Sequence, residues 1–421
     1  MVGQYNLGNS SPAFIPTTLA NGNYWIKIKA IDLATNETDS NCSSMYSKVN
    51  TGFSFPSWAQ FDNGTNFSPV NGMKNAKTLV SKVSGPPEVA IFGGLKGTAM
   101  TSRAEFRPIG GVPSIQVFNN AGGQAFIESA VANDPNTLDF YVFSGMTQAG
   151  TFHTGTNVFN KYTFNINGAT TLSTTGAPSS RVMHTMSHTG TKLCVWGGYT
   201  NTGMTTTASD GACYDIGGTT WSSMATAPIS SRAKHVAEWT GTKVCIWGGN
   251  GDGASPTTYN DGACYNPVGN TWNTMSTSPL TARTNHKSVW TGQEMCIWGG
   301  ENPLSTTSYE DGACYNPVAN TWRLMGGTKP SLGRVFANML WTGARICIVG
   351  GFKKYISTSQ ETTSSCWSPI YNDWQNINTT GLPATLESGS VFFEDDLCLF
   401  GGYSNTGAPT PVSTTTCVKL R

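Results

Sequence analysis

Charged side chains are scarce in this sequence. Asp, Glu, Lys and Arg make up 12% of the 421 residues, about half the quarter usual for soluble proteins. The 25 Lys and Arg nearly balance the 24 Asp and Glu, so the basic field needed to hold nucleic acid or an anionic membrane surface is missing. No apolar run approaches the length of a membrane span, and no stretch keeps a helical period. The start, Met1-Val2-Gly3-Gln4-Tyr5, lacks the basic and apolar regions of an export signal. Either such a signal lies outside this chain or the first residues are an artificial boundary. Histidine is rare, with five copies.

Hydrophobic residues reach 38% and aromatics 11%, enough for a sizeable core in one large domain plus a small one. The solvated surface must then be Ser, Thr, Asn and Gly. The distribution of these residues is periodic. Cys194, Cys245, Cys296, Cys347 and Cys398 stand 51 residues apart, and each is followed by two residues and Gly-Gly, as in Cys245-Ile246-Trp247-Gly248-Gly249. Ala90-Ile91-Phe92-Gly93-Gly94 and Tyr141-Val142-Phe143-Ser144-Gly145 keep the phase without the cysteine, which makes seven copies. A second element follows each Gly-Gly: Asp261-Gly262-Ala263-Cys264-Tyr265-Asn266-Pro267 with Trp272, and Asp311-Gly312-Ala313-Cys314-Tyr315-Asn316-Pro317 with Trp322. A third precedes it: Arg181 with His184, Arg232 with His235, Arg283 with His286.

These marks resemble the kelch repeat over about residues 52–421. The resemblance implies an all-β fold: a seven-bladed propeller of four-stranded antiparallel blades. Counting outward from the axis, strand a holds the Arg/His element, b ends in Gly-Gly, c carries Cys-Tyr and d carries Trp. In strand b, Cys245 and Trp247 point one way and Ile246 the other, and both directions are apolar, as suits a sheet packed between two others. Gly248 and Gly249 permit a turn that a side chain would obstruct. In the first two copies Phe118 and Phe164 stand for the c-strand tyrosine, and Phe126 and Leu172 for the d-strand tryptophan. No Trp follows Cys417 before the chain ends, so residues 53–61, with Trp58, are expected to supply strand d of blade seven.

Residues 1–51 do not fit the repeat. Leu19 to Asp32 reads as a turn and an alternating strand and resembles the last strands of an immunoglobulin-like or fibronectin type III-like module. About half of such a sandwich is present. A stalk or assembly role follows as an expectation, with a homo-oligomer formed through this segment.

Ten of the eleven cysteines are one b-strand and one c-strand residue in five consecutive copies. Zinc sites use cysteines two to four residues apart, and none occurs here. Because the kelch blade makes b and c neighbours, the expected disulfides are Cys194–Cys213, Cys245–Cys264, Cys296–Cys314, Cys347–Cys366 and Cys398–Cys417. Such bonds require an oxidising compartment, so a secreted or cell-surface location is expected. Cys42 is left over, either free or intermolecular.

Candidate chemistry must be separated from repeat architecture. His184, His235 and His286 recur and are expected to bond within their blades, while Asp210, Asp261 and Asp311 are expected to tie down the start of strand c. Arg181, Arg232, Arg283 and Arg334 are expected near the channel rim, where they either pack on neighbouring loops or form a partial ring of guanidinium groups toward a carboxylate-bearing ligand. The run Asn250-Gly251-Asp252-Gly253 lacks the fuller acidic spacing of a calcium loop, so no metal and no cofactor is expected. The b–c loops exceed ordinary hairpin lengths, differ in sequence, and carry Tyr199, Tyr259, Tyr309, Phe352, Tyr355 and Tyr403. Variable loops on a rigid frame make binding surfaces. Galactose oxidase shares the fold, but its copper site needs two tyrosines, two histidines and a cysteine bonded to one tyrosine. Here the histidines and cysteines belong to the repeat, and no Ser–His–Asp set stands apart from it. The expected function is recognition of a glycan or surface protein, at the tip of a surface fibre. A sugar-acting kelch enzyme and a purely structural tip are the alternatives.

Overall fold

The structure, a computed structural model, describes residues 128–145 except 138, 158–328 except 165 and 167, 334–351, 363–377, 388–393, 396–400 and 415–419, and elsewhere the backbone of the strands named below. The chain divides into two compact units, Met1–Phe55 and Pro56–Arg421. The first holds two antiparallel pairs, Asn23–Trp25 with Met45–Ser47 and Lys29–Ile31 with Glu37–Asp39.

The second unit is a succession of antiparallel blades, with strand order a-b-c-d in blades one to six and a-b-c among the described residues of blade seven. Blade three runs Thr185–His188, Lys192–Trp196, Gly211–Asp215, Thr220–Ser223. Blade four runs Val236–Trp239, Val244–Trp247, Gly262–Asn266, Thr271–Thr274. Blade five runs Lys287–Trp290, Met295–Trp298, Gly312–Asn316, Thr321–Leu324. Blade six runs Asn338–Trp341, Ile346–Val349, Ser364–Ser368, Asp373–Ile377. Blade seven shows three strands among the described residues: Gly389–Phe393, Asp396–Phe400 and Thr415–Lys419. The segment 53–61, expected to complete it, lies outside the described residues. Blade one opens with Lys77–Ser81 and Glu88–Phe92 as strands a and b. Strand a of each blade neighbours strand a of the next, and strand a of blade seven neighbours that of blade one.

Blades one and two depart from the expected register. Strand c of blade one is Arg103–Ile109 and strand d is Val112–Phe118, so Phe118 ends strand d rather than lying in strand c. The pair Ile109↔Val112 leaves only Gly110-Gly111 between the strands, a dipeptide suited to a tight hairpin. Phe126 lies outside the described residues. In blade two (Ala130–Asn133, Asp139–Phe143, Phe159–Thr163, Thr170–Thr171), Phe140 pairs with Tyr162 as Leu193 pairs with Tyr214. Tyr162, not Phe164, therefore holds the tyrosine place. Leu172 donates its N–H to Phe159 as Met224 donates to Gly211, so it fills the methionine place, not the tryptophan's.

The core lies between blades. Cys194 and Trp196 of blade three pack with Val244, Ile246 and Tyr265 of blade four. Cys245 and Trp247 pack in turn with Met295, Ile297 and Tyr315 of blade five. The alternation of strand b thus feeds two interfaces at once, and fully burying each such side chain contributes about 1.5–3 kcal/mol. The disulfides Cys194–Cys213, Cys245–Cys264, Cys296–Cys314 and Cys347–Cys366 are formed, with Cα–Cα separations of 3.9–4.0 Å, closer than the 4.5–5.5 Å of an unlinked pair. Cys398 and Cys417 are direct strand partners; their side chains lie outside the described set.

Candidate functional site

Strand a starts opposite the end of strand b, as in Thr185↔Trp196, and strand c starts there too, as in Trp196↔Gly211. The b–c loops and the entries to strand a therefore share one face of the unit. Among the described residues, the four arginines and Tyr199, Tyr259 and Tyr309 belong to this face. The Arg/His element precedes strand a, which begins at Thr185 after His184, rather than lying within it.

The arginines are fastened inside it. Arg181, Arg232 and Arg283 have no exposed surface and Arg334 has 1%. Each guanidinium donates to the first glycine carbonyl of its own blade: Gly197, Gly248, Gly299 and Gly350, at 3.0–3.3 Å. Three pair with the aspartate before strand c: Arg181–Asp210 at 3.1 Å, Arg232–Asp261 at 2.8 Å and Arg283–Asp311 at 2.8 Å. Arg334 donates instead to Thr363. The groups thus clamp the b–c hairpin, and the aspartates anchor strand c as expected. Main-chain bonds carry the clamp across blades: Gly198, Gly249 and Gly300 donate their N–H to Arg232, Arg283 and Arg334 of the following blade.

The histidines reach the preceding blade rather than staying in their own. His235 Nε2 bonds Thr185 Oγ1 at 2.9 Å, and His286 Nε2 lies 3.3 Å from the Trp247 carbonyl. Their rings stand edge-on to Trp196 and Trp247, with centroids 5.2 and 5.1 Å apart. Burial holds both imidazoles down to about 3, so they are neutral. The Gly-Gly pair makes this contact fit: Gly197 has φ +66, and a Cβ there would lie 2.7 Å from both the Arg232 carbonyl and the His235 ring. The d-strand tryptophans also reach back a blade, with Trp272 Nε1 donating to Ala225 and Trp322 Nε1 to Ser276.

The tyrosines divide. Tyr199 is buried and accepts a hydrogen bond from Asn250 at 2.7 Å, so it is not an exposed loop aromatic. Tyr259 and Tyr309 are half-buried, their rings 4.4 and 4.2 Å from the Arg232 and Arg283 guanidinium carbons. Tyr355 and Tyr403, like Phe352, lie outside the described residues. Asp252 accepts from the Thr207 N–H and hydroxyl at 2.5 and 2.6 Å, and Gly253 donates to Thr205. The blade-three and blade-four loops are therefore joined into one surface, and the Asn250–Gly253 run serves that joint. The acid–thiol cluster Glu294, Cys296, Cys314 is likewise occupied, its sulfurs in a disulfide and Glu294 paired with Arg323 at 2.5 Å.

One set of residues escapes sequence reasoning. Two positions after each arginine stand Met183, Lys234, Asn285 and Phe336, all half-buried and all at φ between 53 and 57, a backbone region that costs non-glycine residues energy. Glu128 shares it, at φ 54. Main-chain bonds join neighbours: Met183 donates to Glu128 and Lys234 to Met183. Because strand a is innermost, these residues surround the channel mouth. Their signal was a position that varies between two that recur.

Deeper in the channel wall, Glu238 of strand a accepts from Ser288 of the next blade at 2.7 Å. Burial pushes its carboxyl up to about 7. The folded state thus holds this proton more tightly than the unfolded chain. The associated stability is complete below the ordinary value of 4.5 and is lost as pH rises through about 7. Glu238→Gln should leave stability unchanged below pH ~4.5 and raise it by about 1–3 kcal/mol at pH 8. Melting curves of both proteins from pH 4 to 8 check this, and parallel profiles would refute it.

The chain matches the KLHDC2/KLHL20/DRC7 Kelch-repeats domain family over residues 129–351. It belongs to the kelch-repeat family. No curated protein matches it. Kelch repeats mark a protein-binding propeller, and the family is generally a binding or scaffold module. The four disulfides of this propeller indicate an oxidising environment.

Proposed function

We propose that the propeller is a recognition module, secreted or displayed at a cell surface, that binds a glycan or surface protein through the b–c loops and channel mouth. One observation carries this reading. The side chains that recur from blade to blade are engaged in fastening blades, whereas those that vary gather at one face: Met183, Lys234, Asn285, Phe336 and the loops bearing Tyr259, Tyr309 and the 57%-exposed Leu304. Variation on a fixed frame is what a ligand-specific surface requires. Arg232 and Arg283 support Tyr259 and Tyr309 from beneath. Residues 1–51 serve as a stalk or assembly segment for the propeller of residues 52–421, at the tip of a surface fibre.

A glycan array and a cell-surface screen with the full chain would identify a ligand. Tyr259→Ala/Tyr309→Ala should then weaken binding at least tenfold, about 1–2 kcal/mol per aromatic anchor. Leu304→Ser, at an exposed position, should weaken it without moving the melting temperature. Binding that survived all three substitutions would place the ligand elsewhere.

A further inference from the structure

The opposite face carries two matching recesses. One, of about 350 Å³, lies between the a–b turn of blade three and the turns of blade four, and is lined by Thr189, Thr191, Lys192, Trp239, Pro267 and Val268 among others. The other, of about 510 Å³, repeats it one blade on, with Thr240, Thr242, Lys243, Trp290, Pro317 and Val318. Each combines a half-buried indole, a proline, an ammonium group and threonine hydroxyls.

Two features of these recesses are not needed by the fold. Val268 and Val318 are 93% and 94% exposed, held out at turns that the Asn266 and Asn316 carboxamide oxygens fix by accepting from the following N–H groups. Neither lysine meets a carboxylate among the described residues; Lys192 donates to the Pro267 carbonyl at 3.1 Å. At the next blade the position of Lys243 is held by Glu294, neutralised by Arg323 at 2.5 Å. The blade architecture therefore accepts either charge there, and the positive charge of both lysines, including Lys192 on its neutral carbonyl, meets no counter-charge among the described residues.

We propose that the two recesses are paired subsites for a carboxylate-bearing oligosaccharide. A pyranose ring sets its C–H face against the indole, proline and valine. Its carboxylate takes the lysine ammonium, and its hydroxyls take Thr191 and Thr242, since the Thr189 and Thr240 hydroxyls already donate to the Lys192 and Lys243 carbonyls. Pockets of this volume with apolar walls and a few convergent polar groups suit such a ligand. Repetition of the same subsite on adjacent blades fits a polymer of repeating units better than a peptide of irregular sequence. Two engaged subsites on one chain also raise avidity without new contacts.

Calorimetric titration of the full chain with an oligogalacturonate hexamer tests the proposal. Two sugar-binding subsites occupied per chain are expected, with affinity falling as salt rises. Lys192→Met/Lys243→Met should weaken binding at least tenfold, while Lys192→Arg/Lys243→Arg should keep it. The carboxyl-reduced hexamer should not bind. Equal binding of the reduced hexamer, equal binding of an oligoglutamate peptide, or indifference to the double Met variant would each overturn the assignment. Tyr259→Ala/Tyr309→Ala on the opposite face should leave this titration unchanged, and a loss there would assign the saccharide to the loop face instead.

Discussion

Arg283→Ala is expected to cost about 3–5 kcal/mol of stability, the range for breaking a buried ion pair from one side. The side chain has no exposed surface. Its guanidinium donates to the carbonyls of Thr281, Gly299 and Asp311, pairs with the Asp311 carboxylate at 2.8 Å, and lies under the Tyr309 ring. Truncation strands the buried Gly299 carbonyl oxygen and leaves the part-buried Thr281 and Asp311 carbonyls and the Asp311 carboxylate, whose side chain is 29% exposed, without their cationic partner. Arg283→Lys keeps the charge but not the planar fork, so it should recover less than half of the loss. The same hierarchy should hold at Arg232, which has the same kinds of partner. Denaturation midpoints of the three proteins decide the matter. A loss below about 1 kcal/mol for Arg283→Ala would mean that the clamp is dispensable, far below the buried-pair range. The rim of the channel would then be open to reinterpretation as a ligand site.

Removing one disulfide should have an effect of similar size by a different route. Cys245 and Cys264 are 0% and 2% exposed, pair directly across strands b and c, and close a loop with a sequence separation of 19 residues. Cys245→Ala/Cys264→Ala should cost about 2–4 kcal/mol, chiefly through the freedom returned to the unfolded chain. Two consequences distinguish this from a packing defect. The loss should be nearly the same for Cys296→Ala/Cys314→Ala, because the separations are 19 and 18 residues. The native protein should also resist thiol reagents until it unfolds, since buried sulfurs offer no access to an attacking thiolate. Rapid reduction of the folded chain at low temperature would show that the blades open locally.

The two results bear on different parts of the repeat. The disulfide ties b to c within a blade and was legible as soon as the 51-residue phase was recognised. The arginine clamp begins within a blade, but its carbonyl continues to the Gly-Gly of the blade before, as in Gly249 donating to Arg283. His235 to Thr185 and Trp272 to Ala225 have the same character. A periodic sequence cannot separate a contact within one copy from the same contact to the next copy, because the residue types at both distances are alike. The histidines were therefore expected to bond inside their own blades and turned out to join neighbours. The degenerate blades failed for a related reason. Without cysteine to mark the register, Phe164 and Leu172 were aligned by residue type, and the ladder instead aligns Tyr162 and sets Leu172 in the place of Met224.

Period and residue type by themselves determined the seven copies and the apolar nature of both faces of strand b. The kelch resemblance they carry implied the propeller, the a-b-c-d order of its blades and the cysteine partners, because a repeat marked by cysteine and Gly-Gly fixes the register of its strands. Exposure was decided only in three dimensions. Of the two readings open for the arginines, packing and a partial ring, burial favours packing, with Arg232 and Arg283 under tyrosines. Tyr199 is internal while Tyr259 and Tyr309 remain half-buried, and the unremarkable positions of Met183, Lys234, Asn285 and Phe336 come to the channel mouth. Whether a polar group meets water depends on what the neighbouring blade places above it, and that neighbour is about fifty residues away in the chain.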